Sequence, residues 1–281
     1  MANETKKQHV IIPEVMEEMV REKLPHKLRF SVFCDIDDTL VGTPGDTITL
    51  PKWGLIGEAQ DVEELGAIPY QEMSSSKTTA TIKKVGKGIT ISDEAMLSGL
   101  GKPIDEATEQ LAIAVARKID ADALTALKGA KLKFGKGATE LGYELLCDAL
   151  TKFEEDIDSP KVLFVTPDQY SMLRKNKDFL GLKDLAGTPI LFSGVVGAIA
   201  GCQVVVTANK AILDTGTKVD NLVVMPGALR LVKKRDAKIE TGRDMDHKAT
   251  KINIDQHYVI AIKDDTKILK ISTLKPTITD R

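Results

Sequence analysis

The sequence predicts an α+β fold, and three stretches carry that prediction. Gly42 to Ile91 has strand signals at both ends and no helical period between them. Pro103 to Lys128 holds the longest helical period in the chain, and the region from Ala237 onward alternates side-chain character with a period of two. With 281 residues, 42% of them hydrophobic, the chain can bury a substantial core as one large domain or two subdomains. A formal charge of −2 gives no global electrostatic reason to hold nucleic acid.

The elements follow in order. A polar arm opens the chain, and a helix runs from Pro13 to about Lys23, with Pro13 in the first turn and Val15, Met16, Met19 and Val20 on one face; Pro25 is expected to end it. The next region is a long ribbon. Thr47–Trp53 and Thr79–Val85 are its limbs, and the residues between, through Gly57, Gly66, Pro69 and Ser74 to Ser76, bury little. An isolated two-stranded ribbon is marginal in water, so it needs a partner in this chain or in another copy. Ser92 suits the N-cap of a short helix from Asp93 to Ser98, stopped by Gly99-Leu100-Gly101.

In the long helix, Ile104, Ala107, Leu111, Val115, Ile119, Ala123 and Leu127 recur every three or four residues, and Asp105 and Glu106 complement the dipole of its first turn. Its length is roughly 39 Å at 1.5 Å per residue, enough to span a domain. After a linker from Lys131 to Gly137, a second helix from Thr139 to Phe153 turns Leu141, Leu145, Leu146, Ala149 and Leu150 inward, and the acidic Glu154 to Asp158 form a loop. Short runs then alternate: strands at Val162–Val165, Pro189–Phe192, Gln203–Thr207 and Leu222–Met225, with a helix from Pro167 to Arg174. Leu185 to Asn209 lacks charge but is punctuated by Pro189, glycines and Gln203, so it reads as short buried strands and not as a membrane span. The closing strands, Ala237–Ile239, Lys251–Ile254, Tyr258–Ile262 and Lys267–Ile271, form an antiparallel meander whose last turn is Asp264-Asp265.

Three cysteines, Cys34, Cys147 and Cys202, lie far apart among apolar neighbours, which predicts buried thiols in a reducing compartment. The polar N-terminus carries no secretion-leader pattern, so the protein is expected to stay where it is made.

The sharpest enzymatic pattern is Phe33-Cys34-Asp35-Ile36-Asp37-Asp38-Thr39-Leu40. It resembles the first motif of haloacid-dehalogenase-type phosphatases, which would make Asp35 the nucleophile and Asp37 the acid/base beside a magnesium ion, with Thr166 and Asp264-Asp265 completing the site. That fold needs a parallel sheet and a crossover helix, whereas an extended ribbon follows the motif here, so the acidic run reads as a connection between arm and ribbon. No glycine stands five residues before the Gly-Lys pairs at Lys87, Lys102 and Lys136, and Gly194, Gly197 and Gly201 lack dinucleotide spacing and read as turn formers. The groups Asp244, Asp246, His247 and Asp255, His257 read as solvated faces of a loop and an edge strand. Lys233-Lys234-Arg235, followed at once by Asp236, reads as a solvated strand end. No catalytic, cofactor or metal residue is assigned, and the chain is read as a non-enzyme.

Three phrases carry a closer resemblance: the run from Asp38 through Pro44-Gly45-Asp46 to Pro51, the run from Lys87 through Thr90 to Ala95, and Lys161 through Phe164 to Pro167. With the order of elements, they resemble the major capsid proteins of tailed double-stranded-DNA bacteriophages, of the Hong Kong 97-like fold. The resemblance covers nearly the whole chain. It implies an N-terminal arm at 1–41, an extended loop at 42–91, a peripheral domain at 92–134 and 236–281 built on the long spine helix, and an α/β axial domain at 135–235. By the same resemblance, copies of the chain assemble into pentamers and hexamers of an icosahedral head, in the host cytoplasm, enclosing double-stranded DNA without sequence-specific binding or membrane contact. Portal and scaffolding proteins are the implied partners, and no cleaved scaffolding segment is evident. Trp53, Leu55, Ile56, Leu65 and Ile68 would be covered between chains. Some members crosslink a loop lysine to a neighbour's asparagine; Lys77 and Asn253 are the positions to consider, though no motif supports that chemistry. An encapsulin-type nanocompartment shell, with the same fold, is the alternative.

Overall fold

The computed structural model describes residues 13–27, 33–53, 60–62, 67–73, 75–98, 103–135, 137, 139–153, 159–175, 179–181, 195–207 and 213–276. Within them the chain builds two larger sheets, a two-stranded ribbon that pairs with neither of them, and one helix shared between the sheets.

The helix α1, Pro13–Lys27, continues through Pro25, where a missing N–H costs only one bond of the last turn. Its buried stripe is Met16, Val20 and Leu24, while Val15 is exposed. Strand β1 (Cys34–Asp37) follows, then the ribbon strands β2 (Thr47–Trp53) and β3 (Ser75–Thr81). The predicted return limb divides at Ile82: Thr79–Thr81 pair with β2, whereas Lys83 begins β4 (Lys83–Ser92), which pairs with β12 (Ala249–Ile262). Helix α2 (Asp93–Ser98) starts where expected, with the Ala95 N–H donating to Ser92 Oγ at 3.3 Å.

The four-stranded sheet has the order β1-β11-β12-β4, with β11 at Leu229–Asp244 and β12 at Ala249–Ile262. Lys251–Ile254 and Tyr258–Ile262 are therefore one strand. The polar Asp255-Gln256-His257 between them look like a break but stay paired, opposite Gly86, Val85 and Lys84. Lys233 to Arg235 lie inside β11, at a bulge where its pairing shifts, and Asp255 and His257 lie on an inner strand and not at an edge.

The seven-stranded sheet has the order β5-β13-β10-β6-β9-β8-β7. Its strands are β5 (Leu132–Phe134), β6 (Lys161–Val165), β7 (Leu180–Gly181), β8 (Val195–Ile199), β9 (Cys202–Val206), β10 (Lys218–Val224) and β13 (Ile268–Leu274). Two expectations change here. The segment read as a linker contributes β5, parallel to β13, and β13 leaves the meander to pair with β10. Gly135, with φ +78°, allows this tight path, because a Cβ there would meet the Ser272 carbonyl oxygen at 2.6 Å. The second helix is shorter than read: α4 spans Tyr143–Leu150, followed by a 3-10 turn at Thr151–Phe153. The Thr139 carbonyl instead accepts the Leu274 N–H at 2.8 Å. Helix α5 (Pro167–Leu173) opens with a capping box between Thr166 and Gln169.

Helix α3, Pro103–Leu127, joins the two halves. Leu111, Val115 and Ile119 pack with α1 against the four-stranded sheet, and Ala123, Leu124 and Leu127 pack against one face of the seven-stranded sheet with Val162 and Phe164. Leu163 and Val165, one residue out of phase, face the other side with Leu146 and Ala149 of α4. Gly99–Gly101, Glu154–Asp158 and Pro189–Phe192 fall outside the described residues. Val195 to Val206 forms two strands joined at Ala200-Gly201, both at positive φ, while Gly197 lies inside β8 and is not a turn residue. Among the described residues no helix is long and apolar enough to cross a membrane.

Candidate assembly interface

The ribbon is a seven-residue antiparallel ladder in register from Thr47 opposite Thr81 to Trp53 opposite Ser75. Threonine-rich β3 suits extended backbone, and its Lys77 and Thr79 are exposed. Leu50 is buried and Ile48 half-buried, so the described apolar side chains of β2 are covered and the exposed ones lie beyond the paired strands. The tip exposes Val62, Ile68, Tyr70 and Met73, with Tyr70 at 95%. Trp53, Leu55, Ile56 and Leu65 have side chains outside the described residues. Exposed apolar groups concentrated on a projecting element mark an interaction surface.

The ribbon root, by contrast, is fastened. The Ile82 N–H donates to the Asp46 carbonyl at 2.8 Å, and Lys234, from the bulge of β11, donates to Asp46 Oδ1 at 2.9 Å and to the Gly45 carbonyl. The hydrogen bond and charge of Lys234 hold the Asp46 carboxyl below its ordinary range. Gly42 and Gly45 both have positive φ, which turns the chain into the ribbon. On the return side, Lys83 pairs with Asp122 of α3 at 2.7 Å. The Tyr258 hydroxyl donates to the same carboxylate at 2.7 Å, and Lys118 pairs with it at 3.0 Å. Burial pushes the Asp122 carboxyl up, but the hydrogen bonds from Lys83, Tyr258 and Lys118 outweigh it and hold the group below the usual carboxylate range. The ribbon is thus rigidly rooted and bare at its far end.

The phosphatase candidates are not brought together as a site. Asp35 and Asp37 lie on β1, an edge strand of the four-stranded sheet. Asp35 pairs with Lys263. Asp37 Oδ1 accepts the Thr39 hydroxyl at 2.6 Å and the Thr39 N–H at 3.0 Å, with Arg230 at 3.5 Å from its other oxygen. Thr39 holds the Asp37 carboxyl below its ordinary value, which is the wrong direction for a general acid. Thr166 is the buried cap of α5, Asp264 accepts from Thr266 in a turn, and Asp265 pairs with Lys131 at 3.0 Å. Among the described residues no three His, Cys, Asp or Glu side chains gather as a metal site.

The remaining charged groups serve local contacts. Lys233 pairs with Asp236 at 3.2 Å and Arg235 with the buried Asp255, so the basic run faces carboxylates of its own chain. Asp244 pairs with Lys251 at 2.6 Å, which with its hydrogen bonds from His247 pulls its carboxyl far down. All three cysteines are free; Cys202 is buried, and Cys34 and Cys147 are half-buried. Burial pushes the Cys34 and Cys202 thiols up to about 12, as expected of packing groups and not of nucleophiles. The ion pairs at the ribbon root were not anticipated, because Asp46 and Lys234 are far apart in sequence and nothing local links them.

Comparison with known proteins gives a consistent result. The family described as Phage capsid protein matches residues 75–271. The chain is 39% identical over 270 residues, 95% of each chain, to the major capsid protein of Staphylococcus phage phiMR11. Its fold resembles the capsid of Ralstonia phage GP4, with a TM-score of 0.71 at 10% identity over 90% of both chains. It also resembles a virus-like particle from Pyrococcus furiosus, with a TM-score of 0.59 at 12% identity over 93% of this chain and all of that one.

Proposed function

The chain belongs to the phage capsid protein family, and from that premise we propose how its structure serves a virion as the major structural subunit of an icosahedral head. The observation that carries the role is the match to the phiMR11 protein along nearly the entire length of both chains. It also separates this reading from the two others: the encapsulin-type shell shares only a fold, and the phosphatase requires chemistry foreign to the family. The subunit is not an enzyme.

Copies associate with one another. In the finer assignment, residues 135–235 act as the axial domain at the capsomer centre. Residues 92–134 and 236–281, with α3 as spine, act as the peripheral domain, residues 1–41 as the arm, and residues 42–91 extend over a neighbour as the loop, although β5 and β13 of the peripheral stretches pair into the seven-stranded sheet. Pentamers and hexamers close the shell around double-stranded DNA, and assembly in the host cytoplasm involves portal and scaffolding proteins. What supports the loop's role is physical. A two-stranded ribbon with an apolar tip gains stability only by burial, and a shell of repeated contacts provides it.

Deleting Gly57–Ser76 tests this role. The shortened chain is expected to stay soluble with an unchanged far-ultraviolet circular dichroism shape per residue outside the ribbon, and to form no shells. Normal particles from the deletion variant would refute the assignment.

A further inference from the structure

A cleft of about 280 Å³ opens beneath α1, between that helix and the four-stranded sheet, beside the β11 bulge. Leu24, Ile36, Ile119, Leu231 and Ala237 give it apolar walls, and the charged side chains of Arg21, Lys233 and Asp236 also line it. Gln256 also lines it, is only 2% exposed, and its Oε1 meets no donor among the described residues. A buried acceptor without a partner is destabilising, so a mostly apolar cleft with an unanswered amide oxygen calls for an occupant that is apolar along its body and carries a donor at its end. Its volume falls below the roughly 300–1,000 Å³ of drug-sized pockets and is on the scale of a side chain.

The same chain displays such a group. Tyr70, at the ribbon tip, is 95% exposed and joins an aromatic body to a hydroxyl, whereas the other exposed large apolar side chains described there, Val62, Ile68 and Met73, have no strong donor, and the exposed Gln71 has a donor but no apolar body. Tyr70 does not fill the cleft of its own subunit, since its ring is 95% exposed, and the two seven-residue strands, each roughly 23 Å long, lead away from a root pinned by Lys234 on the β11 bulge beside that cleft. We propose that Tyr70 of one subunit seats in the cleft beneath α1 of a neighbouring copy, its hydroxyl donating to the Gln256 side-chain oxygen. This rests on the reading of the chain as a self-assembling shell subunit and names the seat of its loop. A ring buried in an apolar pocket with its polar end satisfied is the usual form of an interface hot spot.

The test places the photoreactive residue p-benzoylphenylalanine at position 70 of the full chain, irradiates assembled particles, and maps the crosslinked peptides by mass spectrometry. Crosslinks between two copies at Leu24, Ile36, Leu231 or Ala237 are expected. Crosslinks to residues 1–12 or to another surface, in particles that assemble normally, would overturn the seat and leave the capsid role standing. A chain that never leaves the single-subunit state would overturn both. Gln256→Met gives a second readout, since it removes the orphan oxygen at similar volume. The isolated subunit should unfold at the same or higher urea concentration, while shells should come apart at a lower one, as should Tyr70→Phe shells. Shells of Gln256→Met as resistant as the parent's would contradict the hydrogen bond.

Discussion

At the scale of single residues, Asp122 is the most connected charge at the ribbon root, holding Lys83 of β4, Lys118 of its own helix and Tyr258 of β12. Its side chain is 12% exposed, and although Lys83 and Lys118 are about half exposed and remain solvated, the buried Tyr258 hydroxyl loses its acceptor when the carboxylate is removed. Asp122→Ala is expected to lower unfolding stability by about 1–3 kcal/mol, chiefly through that unanswered hydroxyl, as read by urea denaturation. His257 provides a pH signature. Its Nδ1 has no hydrogen-bond partner among the described residues. Burial and the charge of Arg235, with smaller pushes from Lys84 and Lys234, lower its pKa from 6.5 against the pull of Asp255. The unfolded chain therefore takes up the proton first as pH falls. The stability associated with the neutral ring is present above about 6.5 and lost as pH falls toward the folded-state value. Thermal melts should show a fall in midpoint just below pH 6.5 that His257→Asn flattens; a parent protein that gains stability over that interval would contradict the sign.

At the scale of elements, what was legible in the sequence was what local periodicity determines. Ala107, Leu111, Val115, Ile119, Ala123 and Leu127 of α3 are buried as their spacing predicts, because helix period and burial coincide, and the Ser92 cap follows from local chemistry; the Thr166 cap that opens α5 is an addition from the structure. Thr166→Ala should cost about 0.5–2 kcal/mol by loss of the capping box, measured by thermal melting. What was missed depended on partners far along the chain. β12 continues through Asp255-Gln256-His257 because β4 and β11 pair with it on either side, and β5 exists only because β13 lies beside it. The split of the ribbon at Ile82 has the same origin, since nothing in Thr79–Val85 announces a change of pairing strand. Phosphatase-like spacing at Asp35 and Asp37 was a local coincidence that the edge position of β1 exposes.

At the scale of the whole molecule, two sheets share one helix, so the parts of the core are mechanically linked. Leu124, fully buried near the seven-stranded sheet, lies on the same helix as Leu111, fully buried against the other. Leu124→Ala is expected to destabilise the entire subunit by about 2–5 kcal/mol in a single transition, because no boundary separates the halves at α3. Two separated unfolding transitions, with only one of them shifted, would show the halves to be independent. Against this rigid body stands the ribbon, fixed at its root and exposed at its tip, a geometry that makes sense when copies are adjacent.

The most direct measurement is therefore negative-stain electron microscopy of the purified full chain. Closed icosahedral shells, or rings of five and six subunits, are the predicted result. A population of compact single subunits at concentrations and salt conditions that favour association, with the ribbon intact, would contradict the account.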